Sequence, residues 1–128
     1  MEAAIIRIAV SGMGKDRFAE LARLVDPAEV SAEARSDYEA ALAVKDGRAD
    51  YYIGACQTGA GAALGVANAI LGSAQVVRLS GAGSVPDATA IKAAVASGKR
   101  GFGLARPHIE EVVPVLVRAL LDKPVNSG

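Results

Sequence analysis

The chain has 128 residues, enough for one domain with a single continuous core, and its 14 basic residues balance 14 acidic ones. No run of Lys and Arg breaks that balance, which excludes an electrostatic footprint for nucleic acid or for an anionic membrane surface and leaves small ligands or protein partners. Hydrophobic residues make up 52% and aromatic ones only 4%, with 14 Gly and no Trp, so Ala, Val, Leu and Ile must fill the interior, as suits helices lying flat on a sheet.

The single cysteine cannot close an internal disulfide, in keeping with a reducing compartment. The opening MEAAIIRIAV carries Glu2 and Arg7 around a very short apolar run and passes straight into a glycine loop, unlike a signal peptide. Nowhere do about eighteen apolar residues run uninterrupted, so no bilayer-spanning helix is expected. A soluble, cytoplasmic protein is the expectation.

Residues 4–10 are apolar and β-branched apart from Arg7, the pattern of a central parallel strand covered on both faces. The strand breaks at Ser11-Gly12-Met13-Gly14-Lys15. Phe18, Leu21, Ala22 and Val25 then recur at i, i+3, i+4 and i+7, marking one face of a helix that stops before Pro27. Residues 29–34 alternate in part and read as a short strand near a sheet edge.

Ser36-Asp37-Tyr38-Glu39 is a capping box, in which the Ser36 hydroxyl accepts from the Glu39 amide and the Glu39 carboxylate reaches back to the Ser36 N–H. Its helix passes through Ala41, Leu42 and Val44, and Gly47 supplies a left-handed stop. Residues 51–55 are a buried strand ending at Cys56. Thr58-Gly59-Ala60-Gly61 then leads into a small-residue helix that ends near Gly72.

Residues 75–79 form another buried strand, followed by Ser80-Gly81-Ala82-Gly83-Ser84, the third glycine-rich loop to follow a strand. Pro86-Asp87 starts a helix with Asp87 as cap and Ile91, Ala94 and Val95 inward, and Gly98 ends it. Residues 99–104 are a last short strand. Pro107 opens a final helix whose apolar face carries Ile109, Val112, Val113, Leu116, Val117 and Leu120. Pro114 inside it should free the Glu110 carbonyl and kink the helix.

Strands alternating with helices at this spacing specify an α/β fold. The expectation is a Rossmann-like or flavodoxin-like three-layer sandwich with a five-stranded, mostly parallel sheet of order 2-1-3-4-5 and right-handed crossovers. One domain covers residues 1–122, and residues 123–128 form a mobile tail. In that order the loops at Gly12 and Cys56 meet at the topological switch point, where ligands of such sheets bind.

Three loops therefore offer chemistry on one sheet edge. At Ser11, Gly12, Met13, Gly14 and Lys15, backbone amides, a helix N-terminus and an ammonium group suit a phosphate or carboxylate. The alternative is a tight strand-to-helix turn with a solvated lysine. The loop lacks the Walker A spacing and the full dinucleotide fingerprint, so neither ATP nor NAD is indicated and no cofactor is expected. Cys56, near a helix N-terminus, is placed as a thiolate base or nucleophile, with Gln57, Thr58, Gly59, Ala60 and Gly61 around a substrate oxygen or phosphate. Equally, Gly59, Gly61 and Gly65 could serve only to bring the helix close to the sheet, with Cys56 as a small buried filler. Ser80 and Gly81 add amides and hydroxyls or form a simple crossover loop. His108, the lone histidine, is a catalytic partner or a polar helix-start residue. One Cys and one His do not suggest a metal site. The small-residue face of the helix after Gly61 suits a symmetric contact between copies, so a homo-oligomer is expected.

The segments SGMGK, SDYEAALAVKDGRADYYIGACQTGAGAALGVANAILG and HIEEVVPVLVRALL resemble the YhfU-type family of small bacterial proteins of unknown function, over nearly the whole chain. That resemblance implies a compact cytoplasmic protein encoded among metabolic genes. Locally, ADYYIGACQTGAGAALGVAN is similar to the cysteine-glycine loop of the ribose-5-phosphate isomerase B and galactose-6-phosphate isomerase family. That similarity implies Cys56 as the base that moves a proton between C1 and C2, with oxyanion support from Thr58, Gly59 and Gly61. Two positions depart from it: Gln57 replaces a glycine, and Ser11-Gly12-Met13 stands where that family carries an Asp-His pair. The expected ligand is a small anionic, phosphorylated metabolite. Two other readings stay open, a non-catalytic oligomeric accessory subunit and a phosphocarrier resembling the IIB components of phosphotransferase systems, although the cysteine of the latter follows the first strand.

Overall fold

The computed structural model describes residues 5–56, 62–79 and 85–123. Five parallel strands, β1 (Ile6–Gly12), β2 (Val30–Ala34), β3 (Tyr51–Cys56), β4 (Val76–Arg78) and β5 (Gly101–Ala105), form one sheet. They alternate with helices α1 (Lys15–Val25), α2 (Asp37–Lys45), α3 (Ala62–Leu71), α4 (Ala88–Ala96) and α5 (Ile109–Asp122). The three-layer α/β sandwich expected from the sequence is the observed architecture.

Side chains alternate across each strand, and the two faces are filled differently. Ile8, Val10, Ile53, Phe102 and Leu104 point to one face, where α1, α4 and α5 cover them with Phe18, Ile91, Val95, Val113 and Leu116. Ala9, Tyr52 and Val76 point to the other, where α2 and α3 pack with Ala40, Ala41, Val44, Leu64 and Ala67. The second layer is rich in alanine, packed around the ring of Tyr52. Its helix α3 comes close to the sheet at Gly54, where a Cβ would stand 2.9 Å from the Ala63 Cβ. Gly65, which the sequence suggested for that role, is exposed with open space around it.

The strand order is 2-1-3-5-4, a correction to the expected 2-1-3-4-5. Residues 101–105 are buried throughout, whereas β4 is three residues long and ends on exposed Arg78, so the longer apolar strand takes the interior place. Crossover handedness gives the same result. With β5 returning inward from β4, α4 falls on the α1 face; continued outward growth would have stacked α2, α3 and α4 on one side and left α5 less to cover.

Element ends follow from backbone chemistry. The Ser36 hydroxyl accepts from the Glu39 N–H at 3.1 Å as expected, but the Glu39 carboxylate takes its hydrogen bond from the Ser36 hydroxyl at 3.0 Å rather than from the Ser36 amide. At the far end of α2, Gly47 has φ +81°, and the Arg48 and Gly47 amides donate to the Ala43 and Val44 carbonyls at 2.8 and 3.2 Å. That is a complete Schellman stop. Asp87 caps α4 through the Ala90 amide at 2.8 Å. The strand β1 extends two residues beyond the expected end because Ser11 and Gly12 pair with Gly54 and Ala55. Gln75 belongs to a 3-10 turn, Ser73–Gln75, rather than to β4. Likewise Pro107 sits in a 3-10 turn, Arg106–His108, and α5 starts only at Ile109 and continues past Pro114 to Asp122. Among the described residues no helix is long and apolar enough to cross a membrane.

Substituting the glycines tests this packing. Gly12→Ala forces a left-handed φ of +92° on a side chain whose Cβ would lie 1.9 Å from the Ala55 carbonyl oxygen, and it should destabilise by more than about 2 kcal/mol. Gly65→Ala fills open space in a helix and should stabilise by up to about 1 kcal/mol. Urea unfolding of both variants measures the contrast.

Candidate functional site

The chain leaves β1 for α1 on one face of the sheet and leaves β3 for α3 on the other, so a crevice opens between the carboxyl ends of these adjacent strands. The exchange of β4 and β5 does not move it.

On the β1 side, Gly12 and Gly14 both have positive φ, +92° and +73°. Gly12 lets the loop lie against β3, where the Met13 amide donates to the Ala55 carbonyl at 2.9 Å. Gly14 is the N-cap residue of α1 and provides no side-chain cap. First-turn amides are thus left without a side-chain acceptor at the positive end of the helix. Met13 and Gly14 are exposed and Lys15 is half-buried at the first helical position.

Ser11 is placed differently from its neighbours. It is fully buried and donates from its hydroxyl to the Tyr52 hydroxyl at 2.8 Å, while Tyr52 donates to the Ala63 carbonyl at 2.8 Å. This chain of bonds ties β1, β3 and the first turn of α3 together beneath the crevice. Burial pushes the Tyr52 phenol well above its ordinary range, outweighing the opposing Ser11 hydrogen bond. Sequence reasoning missed Tyr52; the available signal was a phenol inside a strand, Tyr51–Cys56, that reads as buried.

On the β3 side, Cys56 is half-buried at the last strand position and pairs in register with Ala105 of β5. The residues proposed to surround it, Gln57, Thr58, Gly59, Ala60 and Gly61, lie outside the described residues, as do Ser80 and Gly81. Beyond Ala105 the chain makes its 3-10 turn and brings His108 to the start of α5. His108 is 8% exposed, and its Nδ1 is a buried polar atom without a hydrogen-bond partner. Such atoms are uncommon and often mark a place for a ligand or an ordered water. The next residue, Ile109, reaches back toward the β1 loop, its Cδ1 being 3.4 Å from where a Cβ on Gly14 would stand.

Arg17 fastens α1 to α5 at the same end, donating to both Glu110 oxygens at 2.9 and 3.2 Å and also to Glu20. Its hydrogen bond holds the Glu110 carboxyl below the usual carboxylate range. Among the described residues no three His, Cys, Asp or Glu side chains gather as a metal ion would require. The Gly12–Lys15 turn and Cys56 thus lie at the carboxyl ends of the adjacent strands β1 and β3, His108 follows the end of β5, and Ser11 is turned inward.

A family model described as a protein of unknown function, DUF2620, matches residues 6–120. The uncharacterized protein YhfU of Escherichia coli K12 is 36% identical over 114 residues, spanning 89% of this chain and 97% of that protein. Among solved structures, the type B ribose 5-phosphate isomerase of Trypanosoma cruzi superposes with a TM-score of 0.71 at 12% identity, over 94% of this chain and 85% of its own. The ribose 5-phosphate isomerase of Thermotoga maritima gives 0.69 at 16% identity over 96% and 90%. That of Giardia lamblia gives 0.67 at 18% over 92% and 95%. At these identities the likeness establishes a shared fold.

Tyr52→Phe should cost about 1–3 kcal/mol, because it leaves the buried Ser11 hydroxyl and Ala63 carbonyl without their partner. A phenol whose pKa is raised on folding stabilises the fold fully below the unfolded value of about 10 and loses that contribution as pH rises toward its folded value. Stability of the native chain should therefore fall more steeply above about pH 10 than that of Tyr52→Phe, as measured by denaturant unfolding across pH.

Proposed function

The chain belongs to the DUF2620 family of proteins of unknown function, and from that premise we propose that it binds a small phosphorylated sugar between β1 and β3 and isomerises it with Cys56 as base. One observation carries the reading: Cys56 ends a central strand at a crevice whose opposite wall is a glycine turn and an uncapped helix N-terminus. The fold shared with the type B ribose 5-phosphate isomerases supports it.

In this reading the first-turn amides of α1 and the Lys15 ammonium hold the phosphate, as helix N-termini and ammonium groups do. The Cys56 thiolate removes the proton from the carbon beside the carbonyl of an open-chain sugar. That C–H electron pair becomes the carbon–carbon double bond, and the carbonyl electrons move onto oxygen as an enediolate. Cys56 then returns the proton to the neighbouring carbon, and a hydroxyl proton crosses between the two oxygens. Thr58, Gly59 and Gly61 would support the oxyanion, and the unpartnered Nδ1 of His108 is a candidate carrier for the hydroxyl proton. The substrate is taken in its open-chain form, since Ser11, Gly12 and Met13 replace the Asp-His pair and Ser11 is already bonded to Tyr52.

Two measurements test the reading. A panel of aldose and ketose phosphates is incubated in deuterated water and followed by proton NMR; the native chain should exchange and isomerise one of them, and Cys56→Ser should be slower by about a hundredfold or more. Equal turnover in Cys56→Ser removes the catalytic role. In parallel, a bound sugar phosphate at a hundred times its dissociation constant should stabilise the native fold by about 2.7 kcal/mol, a shift of several degrees, and Lys15→Ala should abolish the shift.

A further inference from the structure

We propose that the groove between α2 and the edge strand β2 is a second anion site, built to hold the phosphate group of a small metabolite, away from the Cys56 crevice and independent of its chemistry. The register pairs Arg7 with Ser31 and Ala9 with Glu33. Because Val30 and Ala32 face the α1 layer, alternation turns Ser31, Glu33 and then Arg35 toward the α2 face, beside Arg7. Here α2 lies over β1 and β3; Ala43 near its C-terminal end, and Arg48 and Ala49 of the loop that follows, form walls of a cavity of about 150 Å³. One water needs only about 10–15 Å³. The small side chains of Ala43 and Ala49 leave that space open.

Three guanidinium groups, Arg7 on β1, Arg35 just after β2 and Arg48 in the loop after α2, line this space against one carboxylate, Glu33. Two of the three are bonded to acids that do not line the cavity. Asp50 accepts from the Arg7 Nε and Nη2 at 3.2 and 3.0 Å, and from the Arg7 amide at 2.8 Å. Burial pushes the Asp50 carboxyl up, and the Arg7 hydrogen bonds outweigh it and hold the group below the usual carboxylate range. Asp46 accepts from Arg48 Nη2 at 3.2 Å. Each acid orients its arginine without filling the groove.

Guanidinium carries five donors, so Arg7 and Arg48 keep N–H groups beyond those given to Asp50 and Asp46. Arg35 pairs with Glu33, a pair between exposed side chains two residues apart that a dianion can displace at little cost. Forked guanidinium donors on more than one side, with the Ser31 hydroxyl between them, match the tetrahedral oxygens of a phosphate.

The probe is inorganic phosphate, titrated at constant ionic strength and read by amide chemical shifts in a two-dimensional NMR spectrum. Saturable shifts are expected at residues 31–35 and 48–49. The double variant Arg35→Ala/Arg48→Ala should weaken binding by tenfold or more, Lys15→Ala should leave these shifts unchanged, and Glu33→Gln, which removes the one lining carboxylate, should tighten binding. All of these substitutions fall on exposed or half-buried side chains, and the amide spectra report directly that each variant is folded. The proposal is overturned if the groove amides do not move, if the double variant binds with native affinity, or if Glu33→Gln fails to bind more tightly. A sugar phosphate that shifts groove amides beyond the response to phosphate alone identifies a metabolite as the source of the anion, whereas identical responses identify free phosphate.

Discussion

The contact on which the candidate site depends is the meeting of Gly12 with the Ala55 carbonyl. No side chain fits at residue 12, and the space a Cβ would take is used to bring the end of β1 onto the end of β3. The Met13 amide closes the junction on the same carbonyl. One residue earlier, Ser11 is bonded through Tyr52 to the first turn of α3. Two consecutive residues therefore pin β1, β3 and α3, and the crevice mouth is held by backbone and buried hydroxyls rather than by mobile side chains. A site on such supports keeps its geometry before any ligand arrives, which is the condition for catalytic placement to within a fraction of an ångström.

The two helical layers divide the remaining work. Branched and aromatic side chains on the α1, α4 and α5 side fill most of the core volume. The α2 and α3 side relies on alanine and on Gly54, so its helices approach the sheet closely. This side leaves room for a cavity above β1 and β2, and it is also the side on which the β2 residues Ser31 and Glu33 emerge.

Much of this was legible in the sequence because it depends on local chemistry. Gly47 and Asp87 act as the stop and the cap that their residue types suggest, and the glycine breaks after β1 and β3 locate the crevice. What was not legible depends on comparison between distant segments. Residues 75–79 and 99–104 both read as short apolar strands, and only tertiary packing decides that Gly101–Ala105 lies inside and Val76–Arg78 at the edge. For the same reason the sequence offered Gly59, Gly61 and Gly65 for a close helix approach, whereas Gly65 meets open space and Gly54 in the facing strand provides one. Ser11 was grouped with the ligand loop by adjacency, whereas strand alternation sends its hydroxyl down to Tyr52. The loop that follows Cys56, residues 57–61, lies outside the described residues, and its chemistry rests on residue types alone.

The inward return of β5 also bears on how the chain is made. The order 2-1-3-5-4 means that β4 leaves the ribosome before the strand that joins it to the sheet exists. Until residues 101–105 emerge, β3 presents an open edge and β4 has no neighbour, and α5, translated later still, is needed to close the larger core layer. Assembly cannot proceed strand by strand as translation advances. A nascent chain of this topology holds an unfinished sheet through most of its synthesis, so it completes its structure close to release and is exposed to aggregation or to chaperone capture until then.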